Sequence, residues 1–496
     1  MRTASPLRLG IDPRSSMPLH RQLYEQIREA VLTRRLRPCV PLPSSRMLAA
    51  ELGISRNTVL NAYEQLEAEG YLETKAASAT CVAERLPEDA LCVRAQCTKG
   101  VRLTRTTRLP SRRGAMIAEM RPRCCVEPDA PRPFRLGLPA IEEFPAQTWA
   151  KLVARHWRHP SRRLCGYGHA AGYPPLRKAI AEYSRESRGV RCDAGQVIIV
   201  AGAQQGLDLA ARVLLDPGDS VWMEDPGHIG ARGAFLAAGT RLVPVRIDGE
   251  GIDVDSAISG GDTVRMVYVT PSHQYPLGVV MSLPRRLRLL DWASRSGTWI
   301  LEDDYDSECR YAGRPLASLQ GLDKEGCVIY VGTFSKMLCP ALRLGYLVVP
   351  PDVVDAFIAA RAVADEHSPM MEQAALAEFI TEGHFTRHIR RMRILYAERE
   401  AVLAEALREM GEMVDVQSGE VGLHLVAWLP PGVSDQEVSL QGAAHGVDAR
   451  ALSDYSLRPL PRGGLVLGYA GYTPKEIRAG VKKLAAAFHV VHPTRR

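Results

Sequence analysis

At 496 residues the chain is too long for one ordinary hydrophobic core, so two or three domains are expected. Its 46% hydrophobic and 24% charged residues are those of a globular protein in water. No apolar run approaches the roughly 18–20 residues of a membrane span, Met1–Gly10 lacks the apolar core of a secretion signal, and a cytoplasmic protein is expected. The formal net charge of +7 is modest, and eleven scattered cysteines without a C-x-x-C pair or Cys/His metal spacing point to free thiols and no bound metal.

Helical periodicity dominates residues 11–75. Leu19, Leu23, Ile27 and Val31 recur every four residues after Pro18, which suits a first helical turn, and predict an amphipathic helix ending near Thr33. In the following string, PLPSSRMLAAELGISRNTVLNAYEQLEAEGYL, Ser44 or Ser45 can cap a short helix through Leu52, and Gly53 permits the left-handed turn that ends it. Ser55 can cap a second helix from Arg56 to about Glu69, stopped by Gly70. Two short helices joined by a glycine-containing turn are a helix-turn-helix, whose second helix enters the DNA major groove with its N-terminal residues at the base edges. On that geometry Ser55, Arg56, Asn57 and Thr58 face DNA, Arg46 contacts backbone or groove, and Leu60, Tyr63 and Leu66 pack inward. Arginine can bind guanine through two hydrogen bonds, while Ser and Thr more often position on phosphate. Nearly throughout, this string resembles the winged helix-turn-helix of the GntR superfamily. The resemblance implies a DNA-binding domain over residues 11–83 and a double-stranded operator as partner. Two places depart from the family: Cys39 stands where glycine is frequent before the LPSSR string, and Ala77 and Ala79 stand in the wing segment KAASATCV where glycines are usual.

Residues 84–133 lose the periodicity and read as a basic linker. Seven arginines and one acid, Glu119, lie between Arg102 and Arg123, a bias that fits either attraction to DNA phosphates or a solvated connection. The adjacent Cys124 and Cys125 fit free thiols better than a redox pair.

From Phe134 onward, strand-length apolar runs alternate with amphipathic helices: Val197–Ala201, Ser220–Met223, Val264–Thr270, Thr298–Glu302 and Val328–Gly332. Such alternation predicts an α/β domain over 134–490, with a mostly parallel sheet between flanking helices. Long helices and then short strands at His424–Trp428 and Leu465–Leu467 predict a small C-terminal α/β subdomain over 360–490.

Four segments of this block carry chemistry. In GTFSKMLCPALRLGY, Lys336 follows a short strand and Ser335; an imine-forming cofactor needs one lysine with a neutral amine, held at a strand end. Arg343, seven residues on, can return to a phosphate. In VAGAQQGLDLA the chain turns from strand to helix at Gly202–Gln205, where free N–H groups and the helix dipole suit a phosphate. LEDDYDSECRY places acids at the end of a strand, where α/β sheets bind ligands and where an aspartate can keep a pyridine nitrogen protonated. TPSHQYPLG, with Tyr275, brings polar and aromatic groups to the same edge.

In this order, the four segments resemble the fold-type I aminotransferases, and joined to the GntR-like head they resemble the MocR/GabR class of regulators. The resemblance implies pyridoxal 5'-phosphate (PLP) as cofactor, bonded to Lys336, with Asp303 on the pyridine nitrogen and Tyr305 donating to the phenolic oxygen. It implies Ala203 and Gln204 as phosphate N–H donors, aided by Thr333, Ser335 and Arg343, with Tyr275 in the same site. Tyr167, in GYGHAAGYPPLR, matches a tyrosine that reaches the neighbouring subunit's cofactor, which with paired DNA-reading heads implies a homodimer. Two positions depart here as well. His228, in EDPGHIGAR, replaces the usual aromatic stacked on the cofactor ring, so stacking requires a neutral imidazole. Val466, in LVLGYA, replaces an arginine that clamps a substrate carboxylate, leaving Arg232, Arg458 or Arg462 as substitutes. The function implied is a PLP-dependent regulator that senses PLP or a small amino compound by exchange at Lys336. An active aminotransferase with a vestigial head and a PLP-free regulator are the alternatives.

Overall fold

The computed structural model describes residues 9–13, 15–75, 79–84, 86, 108–119, 132–311, 316–416, 419 and 421–492. They fall into two compact units, residues 1–107 and 108–496. Most of the expected linker, the wing tip at 76–78 with Ala77, and Cys124 and Cys125 lie outside the described residues.

In the N-terminal unit, α1 (Leu19–Leu32), α2 (Ser45–Leu52) and α3 (Arg56–Ala68) precede an antiparallel hairpin of β1 (Leu72–Lys75) and β2 (Ala79–Val82). The helix ends follow from local chemistry. Ser44 accepts from the Met47 N–H, Gly53 ends α2 at φ +66°, and Ser55 accepts from the Thr58 N–H. Pro18 stands one residue before α1 rather than inside its first turn. Leu23, Ile27, Val31, Leu48, Val59, Ala62, Tyr63, Leu66 and Val82 form one core. The buried stripe of α3 begins at Val59; Leu60, expected inside, is half-buried.

The large unit opens within the stretch expected to be linker. There, α4 (Arg112–Glu119) packs on a later helix, and Arg113 Nη1 donates to the Ala237 carbonyl at 3.4 Å. An eight-stranded sheet follows, ordered β3-β10-β9-β8-β7-β4-β5-β6. Its strands are β3 (Val197–Val200), β4 (Ser220–Asp225), β5 (Arg241–Asp248), β6 (Gly251–Ile252), β7 (Met266–Val269), β8 (Trp299–Asp304), β9 (Val328–Thr333) and β10 (Gly345–Val348). Strands β5, β4, β7, β8 and β9 run parallel, and β10 lies antiparallel between β9 and β3. The carboxyl ends of β3, β4, β7, β8 and β9 therefore share one edge. Strands β3, β4, β7 and β9 are buried along their whole length, as strands covered on both faces must be. The covering helices include α5 (Pro174–Arg188), α6 (Ala203–Leu214) and α7 (Ile229–Ala238).

A second, antiparallel sheet of four strands, β11 (Asp415–Val416), β12 (His424–Trp428), β13 (Arg450–Ala451) and β14 (Gly464–Gly468), packs with long helices α8 (His384–Arg408) and α9 (Pro474–Val491). Position 360, expected to open this subdomain, falls inside a helix, Val354–Asp365, whose Phe357 packs in the core of the large sheet. Phe134 is fully buried and bridges to Gly468, which ties the start of the domain to its last strand.

Candidate functional site

The N-terminal unit presents one polar helix end. Arg46, Ser55, Arg56 and Asn57 are exposed and Thr58 is half-buried. Ser55 Oγ and Thr58 Oγ1 lie 2.8 Å apart, so these hydroxyls serve the cap first, and Arg56 Nε donates to Ser45 Oγ at 3.3 Å. Arg46 and Asn57 are left exposed beside them, and Arg56, held at Nε by Ser45, keeps its other guanidinium N–H groups for an outward partner. Met47, missed in the sequence, is 63% exposed beside Arg46.

In the large unit the candidate residues gather at the shared carboxyl edge. Asp303 is the last residue but one of β8 and Tyr305 follows the strand, while Thr333 ends β9 just before Ser335 and Lys336. Beyond β7 comes Tyr275, beyond β4 comes His228, and beyond β3 come Ala203 and Gln204. Lys336 Nζ donates to the Gly137 carbonyl at 3.3 Å. Gly137 sits at φ +76°, a conformation that favours glycine, and a Cβ there would lie 2.6 Å from Nζ and displace the amine. Burial pulls the Lys336 amine below the usual lysine range, although Asp306 and Asp303 oppose it.

Asp303 is 4% exposed. Its Oδ2 accepts from Tyr268 Oη at 2.8 Å, and its Oδ1 has no hydrogen-bond partner. Burial pushes this carboxyl up to about 7, against the pull of Tyr268. Ser335 Oγ is a second buried polar atom without a partner, and the Ser335 N–H donates to Thr333 Oγ1 at 3.2 Å. Helix α6 starts at Gly202 with no side-chain cap, which leaves its first N–H groups to an anion. Arg343, held at φ +50°, lays its guanidinium over that turn, donating to the Ala201 carbonyl at 2.6 Å; a Cβ on Gly202 would lie 2.9 Å from Nη2. Gln204 is exposed, and its amide donates to the Gly230 carbonyl at 2.9 Å. An unpartnered buried acceptor, an unpartnered buried hydroxyl, an open helix start and an amine of lowered basicity fit PLP. They correspond to its pyridine N–H, its phosphate and its aldehyde.

His228 caps α7 with its own ring: Nδ1 accepts from the Ala231 N–H at 3.3 Å, which places the ring proton on Nε2. Burial, with Lys336 and Arg232 nearby, pushes its pKa down to about 4, so the imidazole is neutral near pH 7 and can lie against a pyridinium. Its ring meets Tyr275 edge-on at 5.5 Å, and Tyr275 also meets Tyr305, His424 and Tyr455. Tyr167 stands apart: it is 89% exposed, its ring edge-on to His367, with no hydrogen bond among the described residues.

Val466 is fully buried in an apolar cluster with Val426, Leu452 and Tyr455, packed by Ile229 and Tyr275. Of the three arginines expected to replace a clamp there, Arg458 donates to the Pro244 carbonyl, and Arg462 is held by the Leu429 carbonyl and Asp415. Arg232 lies on α7 one turn after His228; Nη2 donates to the Tyr455 carbonyl at 2.7 Å, and its buried Nε has no partner. Arg450 was missed. It is paired in register with Val466, bonded to Asp448 at 2.9 Å, and its charge acts on Tyr275 and Tyr455. Also missed were His273, Asp306 and His424, whose ligating atoms lie within 4.8 Å of one another. Hydrogen bonds engage them: His273 Nδ1 is 2.8 Å from Asp306 Oδ2, and His424 Nε2 is 3.1 Å from the Pro276 carbonyl. The histidine of TPSHQYPLG and the third acid of DDYD were the available signals, but only the strand order brings them together.

Similarity to known proteins divides along the same two units. Residues 19–82 match the family described as bacterial regulatory proteins, gntR family, and residues 140–460 match aminotransferase class I and II. The probable rhizopine catabolism regulatory protein MocR of Rhizobium meliloti is 43% identical, over 97% of this chain and 96% of its own. The uncharacterized HTH-type transcriptional regulator YdeL of Bacillus subtilis is 36% identical, over 96% and 97%. The large unit is similar to LysN, the α-aminoadipate aminotransferase of Thermus thermophilus, solved with N-(5'-phosphopyridoxyl)-L-leucine. That similarity has TM-score 0.67 and 32% identity, over 72% of this chain and 92% of that one.

Proposed function

The chain belongs to the MocR family of transcription regulators, in which a GntR-type helix-turn-helix is joined to an aminotransferase class I and II domain. From that membership we propose that it reads operator DNA as a homodimer and holds PLP on Lys336 as the sensor of a small amino compound. Asp303 carries the reading: a carboxyl 4% exposed, with one oxygen held by Tyr268 and the other unpartnered, is costly unless a ligand supplies the missing donor.

When bound, PLP supplies an electrophilic aldehyde carbon and an electron-withdrawing ring. The side chains do the rest. Lys336, its amine held below the usual lysine range, is the nucleophile. Asp303 would accept the ring N–H, with its carboxyl fixed by Tyr268, and neutral His228 and Tyr275 would face the ring. Thr333, Ser335, Arg343 and the N–H groups of Ala203 and Gln204 would hold the phosphate. Tyr167, turned outward here, serves the site of a second copy.

An amino compound that displaces Lys336 changes the contacts of α7, which begins at His228 and ends against α4, the segment that leads back towards the head. Regulation requires that this compound bind two states of the dimer unequally. On the DNA side, Arg46, Arg56 and Asn57 reach bases and phosphates, with Ser55 and Thr58 shaping the helix start.

Two measurements test this. PLP added to purified protein should give a visible absorbance band that Lys336→Ala abolishes; an equal band in that variant rejects Lys336 as the anchor. Arg56→Ala should weaken binding to a DNA fragment selected by the protein by about 1–3 kcal/mol; unchanged affinity at moderate salt rejects the recognition helix.

A further inference from the structure

His273 and Asp306 lie behind Tyr305: the imidazole touches both the tyrosine hydroxyl and the carboxylate. His273 Nδ1 lies 2.8 Å from Asp306 Oδ2 and 2.9 Å from Tyr305 Oη. One ring nitrogen carries either a proton or a lone pair, never both, so it cannot donate to one neighbour while accepting from the other. A carboxylate is an acceptor only, and Asp306 is 1% exposed, so its claim on the Nδ1 proton prevails. The Tyr305 proton then has no acceptor in His273 and must point elsewhere. Tyr305 stays protonated throughout, since burial and then Asp306 push its hydroxyl well above 10.

The imidazole is also clamped. Gly422, at φ +110° in the small subdomain, faces His273 so closely that a Cβ would lie 2.2 Å from Cε1. Gly278, at φ +80° beyond β7, would place a Cβ 3.2 Å from Nε2. The ring is 3% exposed, and a half-turn about Cβ–Cγ would take Nδ1 away from Asp306 and turn a carbon, not the other nitrogen, towards Tyr305. His424, its ring 5.2 Å from that of His273, has its own Nε2 engaged by the Pro276 carbonyl. The other charged or titratable neighbours of the cluster include Asp303, Lys336, Tyr275, Tyr268, Glu308, Cys309 and Tyr311.

We propose that His273 and Asp306 are a positioning pair that fixes Tyr305 as a hydrogen-bond donor, so that its proton is available only to a ligand held at Lys336. This rests on the PLP reading of the site, where the acceptor is the cofactor's phenolic oxygen. A donor there withdraws charge from that oxygen and weakens its hold on the proton at the Lys336 nitrogen; losing the donor strengthens that hold.

The test is the pH midpoint of the visible band of PLP-loaded protein. Tyr305→Phe should raise the midpoint by about one pH unit, a tenfold change in proton affinity. His273→Leu should raise it by a similar amount, because Tyr305 then donates to the unpaired Asp306 instead. His273→Asn, whose amide N–H can replace Nδ1–H, should stay within a few tenths of wild type. In the double variant His273→Leu/Tyr305→Phe the two effects should not add. A loaded His273→Leu protein with the wild-type midpoint, or full additivity, overturns the proposal. A second measurement needs no leucine variant to fold: ¹⁵N shifts of labelled histidine, assigned through His273→Asn, should show Nδ1 of His273 protonated, and a bare Nδ1 overturns the proposal. Absence of a visible band in wild type would reject the PLP reading itself, and the ¹⁵N shifts would still decide the hydrogen-bond arrangement.

Discussion

At the scale of single residues the site is a set of buried groups displaced from their ordinary ionisation in opposite directions. Asp303 titrates near about 7 in the folded protein, above an unfolded carboxylate. It therefore favours folding below about pH 4 and progressively less as pH rises to 7. With PLP removed, Asp303→Asn should be more stable than wild type at pH 8, by roughly 1–3 kcal/mol, and similar to it near pH 4, while binding PLP more weakly. His228 has the opposite sign. Its folded pKa is depressed to about 4, so its contribution is present above about 6.5 and lost as pH falls towards 4. His228→Phe should resist denaturation better than wild type at pH 5 and lose that advantage at pH 8. Urea unfolding at three pH values checks both, and parallel pH slopes for variant and parent would remove the assigned residue from the cause. Lys336, Asp303 and Tyr305 could be singled out because each lies at or just past the end of a strand in a recognisable string. His273, Asp306, His424 and Arg450 were not, because their meaning lies in contacts made across two sheets.

At the scale of elements, what could be read depended on whether an end carries its own chemistry. The boundaries of α2 and α3 followed from Ser44, Gly53 and Ser55, whose side chains or backbone freedom act locally. Helix α4 was hidden in a basic stretch: Ser111 Oγ caps it, accepting from the Gly114 N–H at 3.0 Å, but its eight residues carry no long apolar stripe and it packs on α7. Leu60 was assigned to the core one position late, since Val59 opens the buried stripe. Cys39 is a strained departure: it sits at φ +62°, where its N–H bonds the Val82 carbonyl at 2.9 Å and ties the turn to the wing. Cys39→Gly should relieve that strain and stabilise the head by about 1 kcal/mol, read from urea unfolding of the full chain; a loss of stability would mean that the greater freedom of glycine in the unfolded chain outweighs the strain relieved. If α4 relays the state of the site, Ala115→Pro, which removes the Ala115 N–H bond to the Ser111 carbonyl, should leave the PLP band intact and blunt the response of DNA binding to an amino compound. An undiminished response would take α4 out of the route.

At the scale of the whole molecule, the chain joins a surface that reads DNA to a site whose buried groups call for a charged, reactive ligand. Both units were legible from the order of their segments, since each occupies a continuous stretch with its own periodicity. No sequence signal links them, because coupling is a difference between two states and not a pattern of residues. The decisive measurement is the affinity for a DNA fragment selected by the protein, followed by fluorescence anisotropy in PLP-loaded wild type and Lys336→Ala as a panel of small primary amines is titrated at fixed salt. The affinity of wild type should change with at least one amine while that of Lys336→Ala stays constant. An equal change in both proteins, or no change in wild type with any amine, would contradict a sensor built on Lys336.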